Sequence, residues 1–174
     1  MNEAQAGVDL ETARLRIRRM TEADAPFIIE LLNDPAFLRF IGDKNVRTLA
    51  DARRYIIEGP IASYARFGFG LDVVTLKADR TPIGICGLLK REQLPDPDIG
   101  FAYLGPYCGL GYGREAAEAC LSRAPARVLA ITSPNNLASI RLLEKLGFRF
   151  DRLTALSEGA SEVKLFVRTT VPPS

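Results

Sequence analysis

Hydrophobic and polar residues are spaced along this chain in ways that predict seven strands. The segment "LRIRR", residues 15–19, alternates apolar and charged positions, which is typical of a half-buried strand. The segments "FGFGLDVVTL" and "IGICGLL" are rich in branched residues and flank the polar turn "KADRTP", which indicates two antiparallel strands. The segments "IGFAYL" and "RVLAIT" and two stretches near residues 148–156 and 163–169 supply the other four.

Four other segments place apolar residues at helical spacing. Thr21 and Thr48 each begin a capping-box pattern ahead of the first two helices, and Gly59–Pro60 should kink or divide the second. A third helix is expected over about 114–123, and a fourth within "SPNNLASIRLLEKLGF". The order of these elements predicts an α/β fold in which a mixed sheet carries helices on both faces.

Length and composition favour one domain and exclude several classes of protein. The chain has 174 residues, of which 47% are hydrophobic, and we expect a single domain over residues 13–170, a disordered start at 1–12 and a tail at 171–174. A net charge of +2 lacks the basic excess of a nucleic-acid-binding protein, and the run "RLRIRR" is expected to be a solvated strand face.

Membrane and metal sites are also not expected. No apolar run reaches the roughly 20 residues that span a bilayer, and the acidic start lacks the hydrophobic region of a signal peptide, so we expect a soluble, cytoplasmic protein. Three widely spaced cysteines and the absence of histidine argue against a metal site.

The segment "YCGLGYGREA", residues 107–116, is the strongest candidate for a ligand site. A Rossmann fingerprint would need glycine at position 114, where Arg114 stands, and no Gly-Lys-Ser/Thr triplet exists for a phosphate-binding P-loop. What remains is a strand, a Gly-x-Gly turn and a helix N-terminus, whose unpaired N–H groups and dipole favour an anion. The diphosphate of coenzyme A suits that geometry.

Two motifs carry a resemblance to a known family. The glycine segment resembles the pyrophosphate loop of the GNAT superfamily of acyl-CoA-dependent N-acyltransferases, (Gln/Arg)-x-x-Gly-x-(Gly/Ala), and "SPNNLASIRLLEKLGFRF" resembles the companion motif. The companion motif and the opening "LETARLRIRRMTEADAPFIIELLNDP" are typical of the RimJ/RimL-type branch. The resemblance covers nearly the whole chain. It implies a mostly antiparallel sheet of about seven strands, splayed after the fourth, "DIGFAYL", where the pantetheine arm of acetyl-CoA pairs with the main chain.

The resemblance also implies a coenzyme site. Cys108 replaces the glutamine or arginine of the superfamily motif, so binding should depend on main-chain N–H groups. Arg114 is expected at a phosphate, although its side chain could instead point into solvent. Tyrosines beside the loop are more often packing residues than catalysts. The predicted coenzyme-binding residues are Tyr103, Leu104, Gly109, Leu110, Gly111, Tyr112, Gly113, Arg114 and Asn136.

The expected reaction transfers the acetyl group of acetyl-CoA directly to a primary amine in a ternary complex. Removing a proton at pH 7 costs about 4.6 kcal/mol for a lysine side chain but only about 1.4 for an α-amine, so a modest base suffices for the latter. Asp98 is the candidate base, acting through a water; the alternative is a solvated residue that ends the loop "PDPD". A main-chain N–H near Tyr103 or Leu104 is the expected oxyanion donor.

The proton for the departing thiolate needs another source, because Leu143 occupies the position where many superfamily members keep a tyrosine. Ser139 is the candidate, with an unremarkable helix contact as the alternative. A catalytically weak acyl-CoA sensor or protein-interaction module stays open beside the enzyme. The acceptor, a peptide α-amine or a small-molecule amine, should bind between the first helices and the loop "LSEGASE"; a monomer and a homodimer are both open.

Overall fold

The computed structural model describes residues 9–171. Of the segment predicted to be disordered, residues 1–8 lie outside this range, whereas Leu10–Glu11 form a short strand. Of the predicted tail, residues 172–174 also lie outside it.

Within residues 9–171, eight strands form one sheet in the order β1-β2-β3-β4-β5-β6-β8-β7. Every neighbouring pair is antiparallel except β5 and β6, which are parallel. All seven predicted strands are present, and the additional one is β1 at the edge, so the predicted fold class is confirmed. The strands are β1 (Leu10–Glu11), β2 (Leu15–Arg19), β3 (Leu71–Leu76), β4 (Pro82–Leu89), β5 (Asp98–Tyr103), β6 (Arg127–Thr132), β7 (Arg149–Thr154) and β8 (Val163–Thr169).

The sheet splays between β5 and β6, as predicted. Only Asp98 and Leu129 are paired across this boundary, and the Leu129 N–H donates to the Pro97 carbonyl at 2.9 Å. Beyond that point the second half of β5 has no β6 partner, although its pairing with β4 continues as far as Tyr103. The divergence leaves a gap along one side of β5.

In the described part of the chain, six α-helices cover the two faces of the sheet. At Gly59–Pro60, where the sequence predicts a kink or a division, a π-helical turn (Ile57–Ile61) joins the third helix to the fourth. None of the helices within residues 9–171 is long and apolar enough to cross a membrane. The helices are α1 (Ala25–Leu32), α2 (Pro35–Phe40), α3 (Leu49–Ile56), α4 (Ala62–Phe67), α5 (Tyr112–Leu121) and α6 (Leu137–Lys145).

Helix α2 was not predicted. Proline at position 35 ends α1 as expected, but it also occupies the first position of α2, where its missing N–H costs nothing. The Asp34 side chain caps this new helix by accepting from the Ala36 N–H at 3.0 Å. The same residues therefore stop one helix and start the next.

The core consists of two main apolar clusters, one on each face of the sheet. One cluster packs α5 and α6 against the sheet and includes Ile99 of β5, and the other packs α1 and α3 against it and includes Ile85 of β4. Tyr103 also belongs to the α5 face, where its ring lies over Gly84: a Cβ on that glycine would be 2.3 Å from the ring. This close contact fixes the end of β5 from which the glycine loop departs.

Candidate active site

The loop between β5 and α5 has the backbone conformation of an anion-binding turn. Gly109 and Gly111 have φ angles of +73° and +85°, in the left-handed region that side chains disfavour. Gly111 is the N-cap of α5, so the helix begins at Tyr112, two residues earlier than predicted. The amides of Tyr112 and Gly113 thus belong to the first helical turn.

Consecutive amides of this loop are free. The first intrahelical bond of α5 runs from the Glu115 N–H to the Gly111 carbonyl at 3.1 Å, and no acceptor within the described residues bonds the N–H groups of 109–114. Together with the positive end of the helix dipole they form a cluster of donors suited to a diphosphate.

More donors lie along the gap beside β5. The Leu104 N–H donates to the Ile83 carbonyl of β4 at 2.9 Å, so the prediction that Leu104 could supply the oxyanion donor is wrong. Successive residues of a strand direct their backbone groups to opposite sides. The N–H groups of Phe101 and Tyr103 therefore face the gap, where the β6 ladder has ended.

The tyrosines around the loop serve as packing residues. The Tyr103 hydroxyl is buried without a hydrogen-bond partner among the described residues, and burial raises its pKa well above the usual value. The rings of Tyr107 and Tyr112 pack at a tilt, with 6.5 Å between their centroids. Tyr103 therefore contributes its backbone to the gap while its phenol is held inside the protein.

Asp98 lies at the closed end of the splay, where it is paired with Leu89 of β4 and Leu129 of β6. Only 1% of it is exposed, so the alternative interpretation of a solvated loop residue is wrong. Its Oδ2 accepts from Arg91 Nε at 3.1 Å, while Oδ1 is buried and has no partner among the described residues. Burial raises the pKa of the carboxyl, and the Arg91 charge opposes that rise.

Helix α6 lies beside the glycine loop. A Cβ on Gly113 would be 3.3 Å from Leu142 Cδ2, so glycine allows the first turn of α5 to approach α6 closely. The side-chain oxygen Oδ1 of Asn136 caps α6 by accepting from the Ser139 N–H at 3.2 Å. This bond leaves the amide group of Asn136 free to donate.

Arg114 and Leu110 project outward. Arg114 Nε donates to Glu118 Oε1 at 2.8 Å, one helical turn away, and both side chains are about half exposed. Leu110 is 53% exposed. An incoming phosphate would have to compete with Glu118 for the Arg114 guanidinium.

A cleft of about 310 Å³ reaches Leu89 and Lys90 at the end of β4. It is lined by α3, the π-helical turn Ile57–Ile61, α4 and the end of β4, including Tyr55, Glu58, Phe67 and Leu89. Since Leu89 is the β4 partner of Asp98, the cleft and the carboxylate are adjacent.

The pattern of the sequence did not reveal Arg91 or Tyr55. Arg91 is one charge in the polar segment "LKREQLPDPD", and Tyr55 lies on the apolar side of a helix, so neither stands out before the strands are assembled. Within residues 9–171 no group of three or more His, Cys, Asp or Glu side chains is arranged to hold a metal ion.

Comparison with known proteins identifies the family. The family model described as "Acetyltransferase (GNAT) domain" matches residues 14–149, which include the splayed strand and the glycine loop. This chain belongs to the GNAT acetyltransferase family. It is accordingly an acyltransferase, and the resemblance inferred from the two motifs is confirmed.

Other proteins resemble this chain over most of its length. The chain is 29% identical over 157 residues to the uncharacterized protein YkkB of Bacillus subtilis, covering 84% of this chain and 88% of YkkB. The crystal structure of an acetyltransferase from Agrobacterium tumefaciens superimposes with a TM-score of 0.77 at 24% identity, covering 93% and 94% of the two chains. RimL, a ribosomal L7/L12 α-N-protein acetyltransferase solved with coenzyme A, gives 0.73 at 16% identity, covering 91% and 95%. Both structures share the fold of this GNAT acetyltransferase.

Proposed function

We propose that this GNAT protein transfers the acetyl group of acetyl-CoA directly to a primary amine. The observation that carries the proposal is a pair of free donor groups: the amides of 109–114 in the glycine loop, and those of Tyr103 and Phe101 along the gap that leads up to it. A coenzyme with a diphosphate at one end and an amide-containing arm at the other matches this arrangement. RimL, which shares the fold, was solved with coenzyme A bound.

The donors divide between two parts of the ligand. The first turn of α5, with Gly109 and Gly111 keeping the approach open, would hold the diphosphate, and the Asn136 amide would add a donor from α6. The arm would lie along β5 as an additional strand, since Phe101 and Tyr103 present unpaired N–H groups there. In this arrangement the thioester would lie toward the closed end of the gap, near Asp98.

The chemistry then needs no covalent enzyme intermediate. The amine nitrogen attacks the thioester carbonyl carbon, the C–N bond forms, and the C–S bond breaks as the tetrahedral intermediate collapses. An N–H from Phe101 or Tyr103 would stabilise the oxyanion, a contribution of roughly 2.7 to 4 kcal/mol. The amine proton passes through water to the Asp98 carboxylate, and the thiolate takes a proton from Ser139, which regains one from solvent.

The acceptor would enter through the cleft beside Asp98. Its walls are mainly aromatic and aliphatic, and the Glu58 carboxylate lies at its edge to attract an ammonium group. A peptide α-amine costs less to deprotonate than a lysine side chain, which favours α-amines and weakly basic small-molecule amines. Leu143, which the resemblance assigns to the position where many superfamily members keep a tyrosine, is a core residue with 1% exposure.

Calorimetry and a thiol-release assay test the proposal. We expect acetyl-CoA to bind with a stoichiometry of one, and free thiol to appear when a panel of N-terminal peptides and small amines is added. Heat on titration with a nicotinamide dinucleotide, but none with acetyl-CoA, would refute it. Tight coenzyme binding without thiol release on any amine would instead identify an acyl-CoA-binding module.

A further inference from the structure

Arg14, just before β2, connects the first strands to the glycine loop although they are about a hundred positions apart in sequence. Its Nη1 donates to the Leu110 carbonyl at 3.1 Å, and its Nε and Nη2 both lie 2.8 Å from Glu115 Oε2. Its guanidinium also lies 4.3 Å from the centroid of the Tyr112 ring. The Arg14 side chain thus contacts the glycine loop at Leu110 and the first and fourth residues of α5, Tyr112 and Glu115.

The bond to Leu110 has a consequence for the next amide. In a trans peptide the carbonyl and the following N–H point in opposite directions. Fixing the Leu110 carbonyl toward Arg14 therefore directs the Gly111 N–H away from it, toward the open side of the loop. A Cβ on Gly111 would lie 3.2 Å from Arg14 Nη2, so glycine also gives the guanidinium room.

Arg14 also controls a carboxylate that could interfere with binding. A glutamate in the first turn of a helix can fold back onto free amides, and its charge repels an anion there. Glu115 instead points to the connection between β1 and β2: Thr12 Oγ1 and the Arg14 N–H donate to its Oε1 at 2.8 and 2.9 Å, and the Arg14 guanidinium binds Oε2. Burial raises the pKa of this carboxyl, but these hydrogen bonds outweigh it and lower the pKa.

We infer that Arg14 is a positioning residue that fixes the glycine loop, so that the amides of 111–114 face the coenzyme diphosphate with Glu115 held aside. The inference rests on the proposed function and adds a specific requirement to it. Arg14 acts through Leu110 and Glu115. Its removal should therefore weaken binding of the diphosphate and leave binding of the pantetheine arm intact.

The decisive experiment compares two ligands. Calorimetry on the wild type, Arg14→Gln and Arg14→Lys should show that Arg14→Gln raises the Kd of coenzyme A about tenfold, while the Kd of pantetheine, which lacks the diphosphate, changes less than about twofold. Arg14→Lys should recover part of the loss, since an ammonium keeps the charge but not the planar fork. Arg16→Gln is the matched control, because Arg16 pairs with Asp9 at 2.6 Å and should leave both Kd values unchanged.

Glu115→Gln and the double variant Arg14→Gln/Glu115→Gln complete the test. The double variant should bind coenzyme A no more weakly than the poorer single variant, since both changes disrupt one interaction. Equal losses for coenzyme A and pantetheine in Arg14→Gln, or no loss for either, would overturn the inference.

A ligand-free measurement separates this inference from the proposed function. If the wild type binds no coenzyme A, the proposed function fails, and amide exchange by NMR decides on Arg14 alone. The Glu115 amide closes the first turn of α5 onto Gly111, and its exchange should accelerate severalfold in Arg14→Gln but not in Arg16→Gln. An unchanged rate would show that Arg14 does not fix the loop.

Discussion

The two ends of β5 prepare different kinds of chemistry. At the C-terminal end the strand runs into a glycine turn, where the donors are backbone amides and the nearby side chains are largely exposed. At the N-terminal end Asp98 is almost completely buried against Arg91, and the proposed proton acceptor is its side chain. In the proposed function, binding therefore depends on backbone shape at one end, and the reaction depends on a buried charge at the other.

This difference predicts that substitutions at the two ends have separable effects. Changes in the glycine turn should alter coenzyme affinity, and changes around Asp98 should alter the rate with coenzyme bound. Any variant that alters both equally would contradict the division.

The largest effect is expected for Gly111→Val. The φ of +85° is strongly disfavoured for a β-branched residue, and the new Cβ would crowd Arg14, so the loop must change shape. We expect the Kd of coenzyme A in calorimetry to rise by at least about a hundredfold. Gly42→Val is the control, because Gly42 has a φ of +117° but open space around its Cβ position; a similar loss there would point to general destabilisation.

Asp98→Asn should have the next largest effect, about a hundredfold on kcat/KM for the amine, because an amide cannot accept the proton. The Kd of coenzyme A should stay within about twofold of the wild type. Asp96→Asn removes a partly exposed carboxylate that lies two residues before Asp98 and pairs with Arg127, and it should leave the rate unchanged. A fully active Asp98→Asn enzyme would remove Asp98 from the mechanism.

The pH dependence gives a finer test of the buried end. Burial raises the pKa of Asp98 and Arg91 opposes it, so activity should fall as the pH drops through that raised pKa. Arg91→Gln removes the opposing charge and should move the acidic limb of the kcat/KM profile to higher pH. At a pH on that limb, the variant should have about tenfold lower activity than the wild type. An unshifted limb would mean that another group controls it.

Asp72 provides the control for that pH profile. Burial raises its pKa to about 6 from 3.8, so the folded state binds the proton more readily than the unfolded state. Protonation of Asp72 therefore stabilises the folded state, and its contribution to the free energy of unfolding grows as the pH falls through 6. Because of this sign, Asp72 cannot cause a loss of activity through unfolding in acid. Asp72→Asn should leave the acidic limb in place.

The smallest effect is expected for Ser139→Ala. A thiolate is a good leaving group at neutral pH, so losing a proton donor should lower kcat only about threefold in the thiol-release assay. Ser122→Ala, which removes a hydroxyl bonded to the Ala119 carbonyl, should not change kcat. A Ser139→Ala enzyme with wild-type kcat at all pH values would leave Ser139 as a helix contact alone.

The sequence by itself determined the strands β2 to β8, the helices α1, α3, α5 and α6, and the glycine loop. Alternation, capping boxes and a Gly-x-Gly turn are local signals, because each depends on residues a few positions apart. The two motifs were enough to place the chain in its family, which the family model confirms.

Only the tertiary structure decided how side chains distant in sequence meet. It removed Asp98 from solvent and paired it with Arg91, assigned the Leu104 N–H to β4, and turned Arg14 from an expected solvated position toward the glycine loop. Each of these contacts depends on strand register and on the packing of a helix against the sheet. Such long-range geometry leaves no periodic signal along the chain, because it arises only when the elements assemble.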